Sequence, residues 1–198
     1  MKKKYRCDII QLYSMLERIF PKKQNTMSEQ VFNEHDCCCF TGHRHDKILP
    51  LKEKIIKRLN IEIDVAFQEG KNIFISGMAT GFDIWAAQAV LEKNKIYDIK
   101  LVCALPYPEF CVRQYDGELC REILTNADLV KSISEHYYKG VFQVRNQWMV
   151  DCSARVIAAY DGSPGGTRNT VNYAKKHNVQ VINLLEPMTM WIDDEFFK

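Results

Sequence analysis

Strand and helix signals alternate along this chain from Cys37 to Leu184, which predicts an α/β fold: a three-layer sandwich with a mostly parallel sheet between helices. Two further observations agree. Apolar runs such as Ile73, Phe74 and Ile75 lack the polar alternation of a half-exposed sheet and read as strands covered on both faces. Twice, at Gly77–Gly81 and at Gly165–Gly166, a strand signal passes through glycines directly into a helix signal. Such a junction aims backbone N–H groups and the positive helix end at one spot, which suits an anion.

The elements follow in order. Ile9, Leu12, Tyr13, Leu16, Ile19 and Phe20 recur at helical spacing and Pro21 ends the run, so residues 1–36 read as an amphipathic helix and a connector. This N-terminal helical appendage precedes a domain over 37–185 and a tail over 186–198. In the domain the first strand is Cys37–Thr41, followed by a loop through Gly42, His43, Arg44 and His45. A helix over Leu51–Glu69 closes at Gly70, a natural C-terminal cap. Strand Asn72–Ser76 leads into a helix over Gly81–Lys93, and strand Ile99–Leu105 into one over Glu109–Thr125. Strand Leu129–Ser132, helix Phe142–Cys152, strand Arg155–Tyr160, helix Gly166–His177 and strand Val179–Leu184 complete the domain.

Composition narrows the function classes. A formal charge of +2 over 198 residues implies no nucleic-acid surface by itself. No run of 18 apolar residues exists, and charges interrupt any signal-peptide core near the start, so the expectation is a cytoplasmic protein without a membrane. The eight cysteines form no C-x-x-C pair. Cys37, Cys38 and Cys39 lie inside an apolar run and read as small strand residues of a reducing compartment; metal ligation with His43 or His45 is the weaker alternative, and no metal is expected.

Ligands of parallel sheets bind beyond the carboxyl ends of the strands, near the point where strand order reverses. Three loops there carry suitable residues. Thr41, Gly42, His43 and Arg44 combine a close-approach glycine with a forked donor for phosphate or carboxylate. Ser76, Gly77, Thr80, Gly81 and Asp83 form the first glycine turn, in which Thr80 is placed to cap the helix. Asp83 either complements the helix dipole or accepts from ribose hydroxyls. Trp85 reads as core. Asp161, Gly165, Gly166 and Thr167 form the second turn, a further anion nest.

The segments T-G-H-R, S-G-M-A-T-G-F-D-I-W-A-A, A-L-P-Y-P, V-R-N-Q-W-M-V-D and D-G-S-P-G-G-T together resemble the SLOG superfamily, and within it the YpsA-like branch, over about residues 37–184. The resemblance implies a Rossmann-like sheet binding nucleotides or their derivatives. It also implies kinship with the Lonely Guy phosphoribohydrolases and DNA-processing protein A. In the hydrolases an arginine joins a glutamate from the motif P-G-G-x-G-T-x-x-E. Arg145 matches that arginine, and Gly166 and Thr167 match the G-T pair. The glutamate position falls on Thr170, and one glycine is missing. A hydroxyl replaces neither a general base nor a carboxylate that stabilises an oxocarbenium ion. Glu109, Glu118, Asp83 or Asp116 would have to supply an acid instead.

The expectation is therefore a module that binds or senses a nucleotide-derived, phosphorylated ligand. No cofactor is required, a homo-oligomer is allowed, and DNA is a disfavoured partner. Tyr107, Arg145 and Asn146 join the loops named above as ligand-binding residues. The alternatives are a phosphoribohydrolase-like enzyme on the same site and, behind it, a DNA-handling module.

Overall fold

The structure, a computed structural model, describes residues 33–187 except 112, 113, 115 and 116. The expected N-terminal helix and most of the C-terminal tail lie outside the described residues. Among the described residues six strands form one sheet: β1 (Cys37–Gly42), β2 (Ile73–Ser76), β3 (Lys100–Leu105), β4 (Leu129–Ser132), β5 (Arg155–Ala159) and β6 (Gln180–Asn183). Their spatial order is β4-β3-β2-β1-β5-β6, and every pairing is parallel. This is a Rossmann-like α/β fold.

The helices are α1 (His45–Ile48), α2 (Lys52–Gln68), α3 (Phe82–Asn94), α4 (Gly117–Asn126), α5 (Val141–Asp151) and α6 (Gly166–Lys176). From β1 to β4 the chain steps outward in one direction, and from β4 it returns past β1 to β5 and β6. Parallel crossovers are right-handed, so this reversal puts α2, α3 and α4 on one face and α5 and α6 on the other. In agreement, α3 packs between α2 and α4 and across β1, β2 and β3, while α5 packs against α6.

The central strands owe their place to composition. Cys37, Cys38, Cys39, Phe40, Phe74, Ile75, Val156 and Ile157 are all buried, as a strand covered by helices on both faces requires. In α2 the buried positions Ile55, Leu59, Ile63 and Ala66 recur at helical spacing and form the stripe that faces the sheet. The seven described cysteines are free thiols. Burial pushes Cys37 and Cys38 up to about 12, which suits packing rather than nucleophilic chemistry.

Two elements differ from expectation. The third crossover is not helical from Glu109: α4 starts only at Gly117. Pro108 cannot donate a helical hydrogen bond, and Phe110 and Cys111 turn inward to buried positions. The turns are closed by Phe110 N–H to Tyr107 O (3.1 Å) and Gln114 N–H to Cys111 O (3.3 Å). The loop after β1 in turn contains the one-turn helix α1, which gave no local signal because it is a single turn.

Candidate functional site

Strand order reverses between β1 and β5, which lie side by side with Thr41 opposite Ala158 and Gly42 opposite Ala159. The carboxyl ends of these strands are a topological switch point, the usual ligand crevice of open α/β sheets. Asn183, at the end of β6, accepts from Tyr160 N–H (3.1 Å) and donates to Tyr160 O (2.8 Å), which fixes the angle at which the chain leaves β5. Just beyond, His43 Nε2 lies 2.6 Å from Asp161 Oδ1. Lys47, from α1, reaches Asp161 Oδ2 at 3.0 Å and also donates to the Ser163 hydroxyl. The Ser163 hydroxyl and N–H hold the Asp161 carboxyl well below the usual carboxylate range, with Lys47 and His43 adding to the effect.

The two glycine turns differ in what surrounds them. The turn after β2 is closed by protein. Met78 N–H donates to Ser76 Oγ (3.1 Å) and Ala79 N–H to Asp83 Oδ2 (3.4 Å). Thr80 N–H and Oγ1 both donate to Gln114 Oε1, at 2.6 and 2.9 Å, and Phe82 N–H donates to His43 O at 3.3 Å. Gln114 Nε2 completes the clasp on Met78 O (2.6 Å). The glycines give room to neighbouring protein. A Cβ on Gly81, which has φ +102°, would sit 2.5 Å from His45 N and 2.7 Å from His43 O; one on Gly77 would meet the Arg145 guanidinium and the Asp83 carboxyl; one on Gly42 would meet the Phe82 ring. The expected cap does not form. Gly81 is the N-cap of α3 without a side-chain bond, because the Thr80 hydroxyl is spent on Gln114.

Gln114 thus bridges this turn from Met78 to Thr80. Gln114→Ala is expected to destabilise the protein by about 1–3 kcal/mol, the cost of leaving Met78 O and Thr80 N–H without partners. Urea unfolding measures the loss, and hydrogen exchange at the Thr80 amide should quicken; an unchanged amide would show that the clasp does not hold the turn.

Beneath this turn lie two buried charged side chains, Arg145 and Asp83. Arg145, 4 % exposed, donates through Nη1 to Gly77 O and to Ala104 O (3.2 Å). Its Nε has no hydrogen-bond partner, and its guanidinium carbon stands 5.9 Å over the Phe110 ring. Asp83 is buried nearby. Burial pushes its carboxyl up to about 6, against the downward pull of Arg145, then Arg44, then the Ala79 amide. Burial also lowers Arg145, against the upward pull of Asp83.

The turn after β5 is open. Gly162, with φ +89°, and Gly165 and Gly166 are exposed, and a Cβ built on any of them meets nothing within 4 Å. Gly165 caps α6 without a side-chain bond, so the first turn of that helix keeps its positive end uncovered. Thr167 is buried just inside. Thr170, also buried, donates to Gly166 O (3.0 Å) and accepts from Asn146 Nδ2 (3.0 Å).

The structure thus brings Thr41, Gly42, His43, Arg44, Asp161, Gly165, Gly166 and Thr167 to the switch point. Ser76, Gly77, Thr80, Gly81, Asp83 and Arg145 form the closed turn beside it, with the Ser76 hydroxyl spent on Asp83 O (2.8 Å). Arg145 does not face Thr170; its neighbour Asn146 does. The side chain at the hydrolases' glutamate position therefore meets an amide, and the helix directs its arginine to the other turn. Tyr107 is buried among Phe110, Tyr137 and Phe142. Of the acids named as substitutes, Glu118 is exposed on α4 and Asp116 lies outside the described residues. Sequence reasoning missed Lys47, Gln114 and Ser163. Ser163 sits inside the D-G-S-P-G-G-T segment, whereas Lys47 and Gln114 carried no local signal. Among the described residues no group of three or more His, Cys, Asp or Glu is arranged to hold a metal ion, and no helix is long and apolar enough to cross a membrane.

An all-parallel Rossmann-like sheet with glycine-lined strand ends defines a class of small α/β proteins. Within that class the chain belongs to the YspA SLOG family (YpsA), whose pattern it matches over residues 32–190. It is 32 % identical over 148 residues to the uncharacterized SPbeta prophage-derived protein YoqJ of Bacillus subtilis, a match covering 67 % of this chain and 85 % of that one. To a UPF0398 protein of Bacillus cereus it is 31 % identical over 133 residues, covering 64 % and 72 %. Among solved structures it resembles DNA processing protein A from Helicobacter pylori, described for its single-stranded DNA binding mode (TM-score 0.55, 18 % identity, 77 % of this chain and 66 % of that one). It also resembles DNA processing protein A from Streptococcus pneumoniae (TM-score 0.51, 21 % identity, 73 % and 48 %). At such identities the likeness concerns the fold.

Proposed function

We propose that this protein binds a phosphorylated, nucleotide-derived ligand at the switch point and acts as a binding or sensing module. The observation that carries the reading is the contrast between the two glycine turns. The Met78, Ala79 and Thr80 amides after β2 are taken up by protein groups, whereas Gly162, Gly165 and Gly166 leave open space in front of an uncapped helix end. Backbone N–H groups and the α6 dipole hold phosphate there, and exposed Arg44 adds a charge-assisted bond. Hydrolysis is disfavoured because Thr170 and Asn146 form a neutral pair where the hydrolases need a carboxylate.

Calorimetry against a panel of nucleotides and a single-stranded oligonucleotide, with release of free base followed in parallel, tests this reading. The expected result is saturable nucleotide binding without base release. Gly166→Val should weaken that binding at least about tenfold by filling the open space, while the thermal midpoint moves little because a Cβ at this exposed position meets nothing within 4 Å. Base release by the natural protein would establish an enzyme. Binding of the oligonucleotide alone would assign this edge to nucleic acid. If no nucleotide binds, the pocket itself is ruled out.

A further inference from the structure

A second feature stands on the same edge of the sheet, several strands away. The loop after β4 carries Tyr137 and Tyr138, which are 61 % and 45 % exposed. Tyr137 is nevertheless fixed in place. Its ring meets Tyr107 edge-on, with centroids 5.8 Å apart and planes at 80°, and meets Phe142 at 6.3 Å and 59°. Tyr107 and Phe142 are in turn locked to Phe110, at 5.9 and 5.4 Å. The loop backbone is tied to the end of β3 by Ile133 N–H to Leu105 O (2.9 Å) and Ser134 N–H to Pro106 O (3.1 Å). Ser134 Oγ also donates to His136 O (2.8 Å). A large aromatic ring held by its edges on a pinned loop, with most of its surface in solvent, is a ready stacking surface. Folding alone does not require it to be exposed.

The position of this ring sets the length of what it can share with the open turn. Tyr107 follows β3 and Tyr137 follows β4, whereas the open turn follows β5, three to four strands away in the order β4-β3-β2-β1-β5. At the spacing of neighbouring strands that is about 14–19 Å. A single nucleotide, from its phosphorus to the far edge of its base, is shorter than this. Exposed Arg44, following β1, lies between the two ends. We propose that Tyr137 is a base-stacking subsite, and that the ligand is a pyrophosphate-linked dinucleotide or a nucleoside diphosphate conjugate of similar length. Its phosphates would lie on the α6 end and Arg44, and a distal ring would lie on Tyr137. This rests on the phosphate reading above and adds the ligand's length and second anchor.

The test compares the natural protein with Tyr137→Ala and Tyr137→Phe, by calorimetry against diadenosine pyrophosphate, AMP and inorganic pyrophosphate. Diadenosine pyrophosphate should bind the natural protein at least tenfold more tightly than AMP. Tyr137→Ala should lose that advantage, roughly ten- to hundredfold for one stacked base, while Tyr137→Phe retains it. AMP and inorganic pyrophosphate, which reach only the phosphate end, should bind both variants as they bind the natural protein. If the dinucleotide binds Tyr137→Ala as well as it binds the natural protein, the stacking subsite is wrong and the phosphate site stands. If none of the three compounds binds, both readings fall together. A single-stranded oligonucleotide that binds and is weakened by Tyr137→Ala, with the dinucleotide inactive, would give the ring to nucleic acid and overturn the proposed ligand class.

Discussion

Gly81→Ala should unfold much of the protein under conditions in which Gly166→Ala is silent. At Gly81 the added methyl would lie 2.5 Å from His45 N, 2.7 Å from His43 O and 2.8 Å from the Arg44 carbonyl carbon, all of them backbone atoms. The residue also has φ +102° and ψ −125°, a conformation that L side chains rarely adopt. Backbone strain of about 1–3 kcal/mol and overpacking of the same size combine to about 2–6 kcal/mol. Typical stabilities are about 5–15 kcal/mol, so the midpoint of urea unfolding should fall steeply. At Gly166 a Cβ meets nothing and the residue opens α6, so alanine there should change stability by less than about 0.5 kcal/mol. Equal effects at the two positions would mean that the β1 loop can retreat from Gly81, and that the contact between the two loops does not organise the edge.

The same pair of glycines shows where the sequence could be read and where it could not. Period and propensity are local, so the strands were legible to within a residue or so: Cys37–Thr41 against Cys37–Gly42, Arg155–Tyr160 against Arg155–Ala159. The glycine turns were legible as turns. Whether a glycine makes room for a ligand or for another loop depends on what approaches it from elsewhere in the chain. For Gly81 that is the backbone of residues 43–45, and for Gly166 it is nothing. The hydrogen-bonded pairs that build the site are separated by 118 residues for His43 and Asp161, 68 for Arg145 and Gly77, and 34 for Gln114 and Thr80. No local pattern encodes them, because the crossovers bring loops from different strands together at one edge of the sheet. The helix expected over Glu109–Thr125 failed for the same reason. Its first residues are held by tertiary contacts, with Gln114 clasping the turn after β2 and Phe110 under Arg145.

That placement of Arg145 leads to the second large effect. Arg145→Ala should cost about 3–5 kcal/mol, the usual result of leaving a buried charge uncompensated. The loss has two sources: Gly77 O and Ala104 O lose their donor, and Asp83 loses the one of its two neighbouring positive charges that acts on it more strongly. The pH dependence separates them. Asp83 is raised from 3.8 to about 6 in the folded protein, so the folded state holds its proton more tightly than the unfolded chain does. Its favourable contribution is therefore full below about pH 4 and is lost as the pH rises through about 6. Without Arg145 the folded value must rise further, because the strongest attraction opposing desolvation of the carboxylate is gone. The stability difference between the natural protein and Arg145→Ala should then grow from pH 5 to pH 8, while the part due to the orphaned carbonyls stays constant. Arg145→Lys should recover some of the pH-dependent part and little of the constant part, since an ammonium does not reproduce the reach of a planar guanidinium to two carbonyls. Chemical denaturation of the three proteins at several pH values provides the measurement. A difference that does not change with pH would mean that Asp83 is neutral whether or not Arg145 is present, and that the arginine serves the turn only through its hydrogen bonds.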